Sequence, residues 1–413
     1  MTQADGGPQA AGATPRRRRR RVAFALGALA VGGCLALVSL EALARALWDL
    51  PPAMAEFQQK GLYAETASGG TGLGPGYRGR LRLSEQEPWT TVAVNALGMR
   101  GPEVGPKRAG EERVLVVGDS LVFGYGVEAE QALPARLEQA LRAAGLDATV
   151  GNGGISGFNS FESAQRIADL RAGFEPDAVV FTIYLGNDAL ENRNRDFAVV
   201  GGLRFSGPWA VLMHDSLRAR MATRSRFLLW LETWLVTNAP HASLLAGMQL
   251  SPELLSLREG FPGSPPDWAQ CHAGLFLDVV DAAAAWPPTA PPVIPRVLAD
   301  FRAALVQAQQ HAQGLPVVVL VLPTWWHCSE GAWSARLAEL QLDPALFRRG
   351  LSQERVVALC AELGLPCLDA TPWLEASGDA RAQFVSDRGH LSAEGHERVA
   401  HGLREVVRDV LRE

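Results

Sequence analysis

Val114-Leu115-Val116-Val117-Gly118-Asp119-Ser120-Leu121 is the stretch that decides how this 413-residue chain folds. Four consecutive β-formers stop at a glycine, and two residues that favour turns and helix starts follow. That is the pattern of a short, fully buried strand running into a tight turn. Ser120 then stands at the carboxyl end of a sheet. In open parallel α/β sheets ligands bind at that edge, and the amide N–H groups of the next helix face any anion held there. A serine so placed can be a nucleophile or merely a helix cap. The rest of the sequence has to separate the two.

Three later fragments offer what a serine nucleophile needs. A hydroxyl is a weak nucleophile until a base takes its proton, and the developing oxyanion needs donors already in place. Asp387-Arg388-Gly389-His390, just ahead of the last predicted helix, supplies a base and a carboxylate to orient it. Asn152-Gly153-Gly154 follows a second predicted strand and Gly186-Asn187-Asp188 a third, so both lie at the same sheet edge as Ser120. A glycine lets its N–H approach a substrate oxygen with no Cβ in the way, and an asparagine side chain brings an NH₂ donor.

Working outward, strands and helices alternate, as in a parallel sheet covered on both faces. Strands are predicted over 114–118, 148–152, 178–184, 317–322 and 366–369. Helices are predicted over 133–144, 160–172, 296–313, 353–363 and 393–411, the last capped by Ser392. Val399, Leu403, Val406 and Val410 recur at helical spacing in that last helix, which should pack on the sheet and hold the His390 loop near Ser120. His396 and His401 are read as surface residues, and Asp119 as an anion at a helix start.

With these fragments in place, the chain resembles the SGNH hydrolase superfamily, also called GDSL esterases. Gly118-Asp119-Ser120-Leu121 matches its nucleophile block, Gly154 its glycine block, Asn187 its asparagine block and Asp387/His390 its terminal block. The resemblance covers roughly residues 95 to 413. It implies a flavodoxin-like three-layer α/β/α sandwich with a five-stranded parallel sheet. Ser120 would be the nucleophile, His390 the base and Asp387 its orienting carboxylate. The oxyanion hole would be formed by the amides of Ser120 and Gly154 and the side chain of Asn187. Neither a metal nor an organic cofactor is expected. The expected activity is ester hydrolysis. An O-acyltransferase using the same residues, and a non-catalytic glycan-binding or scaffold protein, are the alternatives.

Residues 1–21 read as a disordered cytoplasmic tail ending in six arginines, Arg16 to Arg21. Nineteen residues without a charge follow, Val22 to Leu40, enough to cross a hydrocarbon core of about 30 Å as a helix. A membrane anchor over 22–48 would keep the arginines in the cytoplasm and place the rest outside the inner membrane. Val31-Gly32-Gly33-Cys34 also resembles a bacterial lipobox, and a cleaved signal peptide has the same outline. All three fates export the body of the chain. Without its first 21 residues the chain holds 33 basic against 43 acidic side chains, a poor balance for nucleic-acid binding.

Residues 49–110 read as linker and lead-in, with one strand near Trp89–Val94, and 111–413 as the hydrolase domain. Arg100 is a candidate substrate ligand, although pinning its own loop is favoured. About a hundred residues, 189–295, interrupt the α/β pattern and are expected to form a mainly helical cap. Within it, Phe227 to Val236 is apolar around nearly its whole circumference. That favours the core of the cap over a helix resting on the membrane. Trp325, Trp326 and His327, at the ligand edge, are candidates for contacting a sugar ring or an acyl chain. Pairing is the default for cysteines outside the cytoplasm, with Cys360–Cys367 and Cys271–Cys328 as one arrangement.

Overall fold

The computed structural model describes residues 15–47, 61–83, 87–192, 197–200, 203–206, 225–228, 230–231, 234, 274–280 and 293–412. Eleven strands occur among them. β1 (Tyr63–Glu65) pairs with β2 (Thr71–Leu73), β3 (Arg78–Leu81) with β4 (Thr90–Ala93), and β8 (Phe197–Val200) with β9 (Leu203–Ser206), each antiparallel. The other five, β5 (Glu112–Val117), β6 (Ala148–Asn152), β7 (Ala178–Tyr184), β10 (Val317–Leu322) and β11 (Cys367–Asp369), form one parallel sheet in the order β11-β10-β7-β5-β6. Chain direction across the sheet therefore reverses between β5 and β7, and their carboxyl ends border the crevice where such folds bind ligands.

Side chains on a strand alternate between faces, and here both faces are apolar. Val114 and Val116 of β5 join Val180, Val318 and Leu320 beneath α3 (Leu133–Ala143) and α11 (Ala393–Arg412). Leu115 and Val117 join Val179, Phe181 and Val319 beneath α4 (Ser160–Phe174), α7 (Val293–Ala312) and α9 (Leu351–Glu362). A Leu, Val or Phe buried this way contributes roughly 1.5–3 kcal/mol relative to exposure. The expected three-layer sandwich is therefore present, with strand limits within two residues of those predicted. The remaining helices are α1 (Pro15–Leu47), α2 (Ser120–Phe123), α5 (Asp188–Glu191), α6 (Gly274–Leu277), α8 (Glu330–Glu339) and α10 (Thr371–Glu375). Arg20–Leu47 within α1 is long and apolar enough to cross a membrane.

Two expectations need correction. The lead-in is more than a linker: Leu62, Tyr63, Leu73, Leu81, Val92 and Val94 form a separate buried cluster with Phe123, Ile155 and Phe158. The described part of the insertion combines short helical pieces with the β8–β9 hairpin. Most of the insertion, Cys271 included, lies outside the described residues. Finally, Cys328, Cys360 and Cys367 are free thiols. Cys360 and Cys367 hydrogen-bond to each other across the α9–β11 turn without being joined.

Candidate active site

Ser120 leaves β5 at the crevice and begins α2. Asp119 caps that helix, its Oδ1 accepting the Leu121 N–H at 2.9 Å, so the expected helix-start anion is present. Gly118 precedes it because a Cβ there would run into Thr182 Oγ1 and Val122. Gly154, past the end of β6, is pressed against the backbone of Val122 and Phe123 and has no room for a side chain either. Its N–H already donates to Asn152 Oδ1 at 3.1 Å.

The 385–390 loop brings the base back from the far end of the sequence. Val385 N–H donates to His390 O, Arg388 N–H donates to Val385 O, and Arg388 takes φ +59°, in the left-handed region. Such a φ is strained for a long side chain and needs support from its surroundings. The Arg388 guanidinium lies 4.9 Å from the centre of the Trp325 ring. His390 Nε2 is then 2.8 Å from Ser120 Oγ, and His390 Nδ1 is 2.5 Å from Asp387 Oδ2. The other Asp387 oxygen accepts the N–H groups of Gly389 and His390 at 2.8 and 3.1 Å. Burial alone would raise the Asp387 carboxyl. The bond and charge of His390 and the two amides outweigh it and hold the carboxyl below its usual range. The Tyr125 ring packs 5.3 Å from the imidazole, a contact that no feature of the sequence signals.

Behind Ser120 lie three further carboxyls. Burial raises Asp119 to about 6, even though the Leu121 amide and His390 act against it. Burial, then the charges of Asp119 and Glu191, carry Asp188 well above its ordinary value. Burial and then Asp119 carry Glu191 to about 8. Burial thus favours the protonated forms of Asp188 and Glu191, and Asp119 is raised less, to about 6 against about 8 for Glu191. Asn187, following β7 on the other side of the crevice, hydrogen-bonds toward Asp119 and Glu191.

Other candidates fall outside this cluster. Arg100 is 3% exposed, and its guanidinium donates to the carbonyls of Phe123, Gly124, Thr91 and Val127 at 2.6–2.9 Å. It clamps the lead-in to the end of α2 and is not a substrate ligand. Trp326 and His327 are 1% and 0% exposed, so neither can touch a substrate, and only Trp325 of that trio reaches the surface. His396, read as a surface residue, is 0% exposed in α11 against the core. Burial and then the charges of Arg100, His390 and Arg136 push it down to about 3.

Residues 116–398, more than half of the chain, match the model of the GDSL-like Lipase/Acylhydrolase family. The chain belongs to this family. Among curated proteins it is similar to an arylesterase of Vibrio mimicus, 42% identical over 80 residues. Those residues are 19% of this chain and 39% of that relative, so the match spans about two fifths of the relative's length. Among solved structures it is similar to TesA, at 15% identity and TM-score 0.37, covering 72% of this chain and 99% of that one. It is also similar to the lipase/acylhydrolase from Enterococcus faecalis, at 13% identity and TM-score 0.37, covering 73% and 96%. Family membership gives the tetrapeptide at 118–121 its significance: it is the Gly-Asp-Ser-Leu of the family's name.

Proposed function

We propose that the chain is a serine esterase with Ser120 as nucleophile. The observation that carries this reading is the unbroken line from Ser120 Oγ through both imidazole nitrogens of His390 to Asp387, located at the crevice between β5 and β7. Ser120 Oγ attacks the ester carbonyl carbon while His390 Nε2 takes its proton. The resulting oxyanion collapses, the C–O bond to the leaving alcohol breaks, and His390 returns the proton to that alcohol. Water then attacks the acyl-serine in the same way, releasing the acid and restoring Ser120. Asp387 holds the imidazole with Nε2 toward the serine and stabilises the imidazolium. Asp119, as the nearby anion, favours the same charged imidazole.

Oxyanion donors come from both sides of the crevice. The Ser120 amide lies at the start of α2, and Asn187 has two N–H bonds, one of which must turn from its carboxyl neighbours to the substrate. The Gly154 N–H, bonded to Asn152, contributes as a shared donor. The chemistry is that of short acyl esters. An anchor that would hold the domain outside the inner membrane supports O-acetylated envelope or exopolysaccharide glycans as substrates. Transfer of the acyl group to a sugar hydroxyl would use the same residues with a different acceptor.

The test is a fluorophosphonate probe together with aryl acetates and acetylated glycans, following both acetate release and transfer. The expected result is labelling that disappears in Ser120→Ala, with acetate release from a glycan. Labelling that survives Ser120→Ala rejects the nucleophile. Transfer to an added sugar with no acetate release makes the protein a transferase.

A further inference from the structure

Beyond α1, four large apolar side chains are strongly exposed among the described residues: Trp89, Trp230, Trp234 and Val280. Trp89 lies under the guanidinium groups of Arg80 and Arg82, at 5.4 and 5.1 Å. Trp230 and Trp234, 37% and 48% exposed, belong to one short element in the insertion, whose residues 226–228, 230, 231 and 234 are helical. Phe227 stacks on Trp230 with ring centres 6.0 Å apart, so positions 227, 230 and 234 make an aromatic stripe along one side. Tryptophan is costly to leave in water and is favoured where an apolar layer meets a polar one.

The start of this element is bonded to α1. Glu41 accepts the Ser225 hydroxyl at 2.7 Å and the N–H groups of Arg226 and Phe227 at 3.1 and 3.0 Å. Depth follows from the position of Glu41. It is the first charged residue after Arg21, and the helical rise over the twenty residues between them is about 30 Å, the thickness of a hydrocarbon core. If α1 spans a bilayer, Glu41 comes out where the hydrocarbon ends. Residues 225–227 must then lie at that same level, and Trp234 is only about 10 Å further along the helix.

We infer that the helical element containing residues 226–228, 230, 231 and 234 lies in the interface, its partner the lipid surface of the membrane that α1 crosses, with Trp230 and Trp234 among the headgroups. The inference rests on α1 being a span and is independent of the esterase reading. It reverses the sequence-based preference for a cap core, because Trp230 and Trp234 are 37% and 48% exposed. Its consequence is that the insertion, which leaves the sheet directly after Asn187, is tied to the membrane at two adjoining points, Glu41 and the tryptophans.

The test uses the full chain in nanodiscs of phosphatidylcholine and phosphatidylglycerol, with and without lipids brominated near the headgroup. The chain has 11 tryptophans, so Trp230→Phe/Trp234→Phe should lower the lipid-quenched emission by roughly the share of two of them. Trp89→Phe should leave that emission unchanged. Retention of the full lipid-quenched amplitude in the double variant overturns the proposal. Two further quenching results would do the same: aqueous iodide quenching the pair, which places them in water, or neither quencher reaching them, which places them under protein. A chain that does not enter the disc removes the span itself and the proposal with it, while leaving the Ser120 labelling result intact.

Discussion

Among the described residues there are two lines of hydroxyl, imidazole and carboxylate. In one, Ser120, His390 and Asp387 are linked at 2.8 and 2.5 Å. In the other, Thr324 Oγ1 is 2.7 Å from His327 Nδ1, and His327 Nε2 is 2.8 Å from Asp278 Oδ2. The distances barely differ, but the surroundings do. Thr324, His327 and Asp278 are all 0% exposed, and the second oxygen of Asp278 accepts the Ser352 N–H at 2.9 Å. With no access for a substrate, that line acts as a fastener. It ties the 274–280 segment, which closes the insertion, to the loop after β10 and the start of α9. The first line opens on the crevice and has the proposed oxyanion donors beside it. The comparison teaches that triad distances alone do not define a catalytic site. Solvent access and the neighbouring donors do.

Matched substitutions should separate the two lines most sharply. Asp387→Asn should lower kcat on an aryl acetate by about 10⁴-fold, because the imidazole is then held in the wrong tautomer, with the melting temperature nearly unchanged. Asp278→Asn should do the opposite. Activity stays within a few-fold while denaturant unfolding shows a loss of about 1–3 kcal/mol, the cost of spoiling a buried hydrogen-bonded group. A large rate loss from Asp278→Asn in a folded protein would break the distinction. Next in size, Asn187→Ala should lower kcat by about 10²- to 10³-fold with little change in stability, the usual effect of losing one oxyanion donor. An unchanged rate would mean that Asn187 serves only its carboxyl neighbours.

The smallest effect concerns Trp325, which touches the first line indirectly through Arg388. Its role is to position the 385–390 loop. Trp325→Leu should lower kcat by about 3- to 10-fold, consistent with a partly exposed cation–π contact, and leave KM for a small aryl acetate unchanged. A rise in KM at constant kcat would reassign Trp325 to substrate contact.

The fold was legible because β5, β7 and β10 carry apolar runs that stop at turn residues, and local sequence alone gives that signal. The candidate site was legible because the serine, glycine and asparagine blocks each follow a strand end, so predicting the sheet already gathered them on one edge. The Asp387/His390 block was placed by its position ahead of the last helix. What stayed hidden depends on packing between distant segments. Reading residues 49–110 as linker and lead-in hid Leu62, Tyr63, Leu73 and Leu81, whose partners at Phe123, Ile155 and Phe158 lie far along the chain. Arg100 was ambiguous because a guanidinium fork suits four carbonyls as well as one carboxylate. His327 carried the right chemistry on a predicted ligand edge, but its burial depends on Asp278, which comes from a stretch with no periodic pattern.

One feature of the site bears on how the protein is made. His390 lies 270 residues beyond Ser120, on the loop that ends at α11, and α11 in turn packs with α3 beneath the sheet. Contacts this distant in sequence form late, since the loop between them must close before they bring any gain. A chain is synthesised from its N-terminus, so for most of that time it carries the proposed nucleophile without the proposed base. On that reading, a ribosomal product that stops short of residue 390 would have an inert serine, however much of the sheet it has assembled. Activity would then be switched on once, when residue 390 has been made and its loop has docked, and the growing chain could not attack esters before that point.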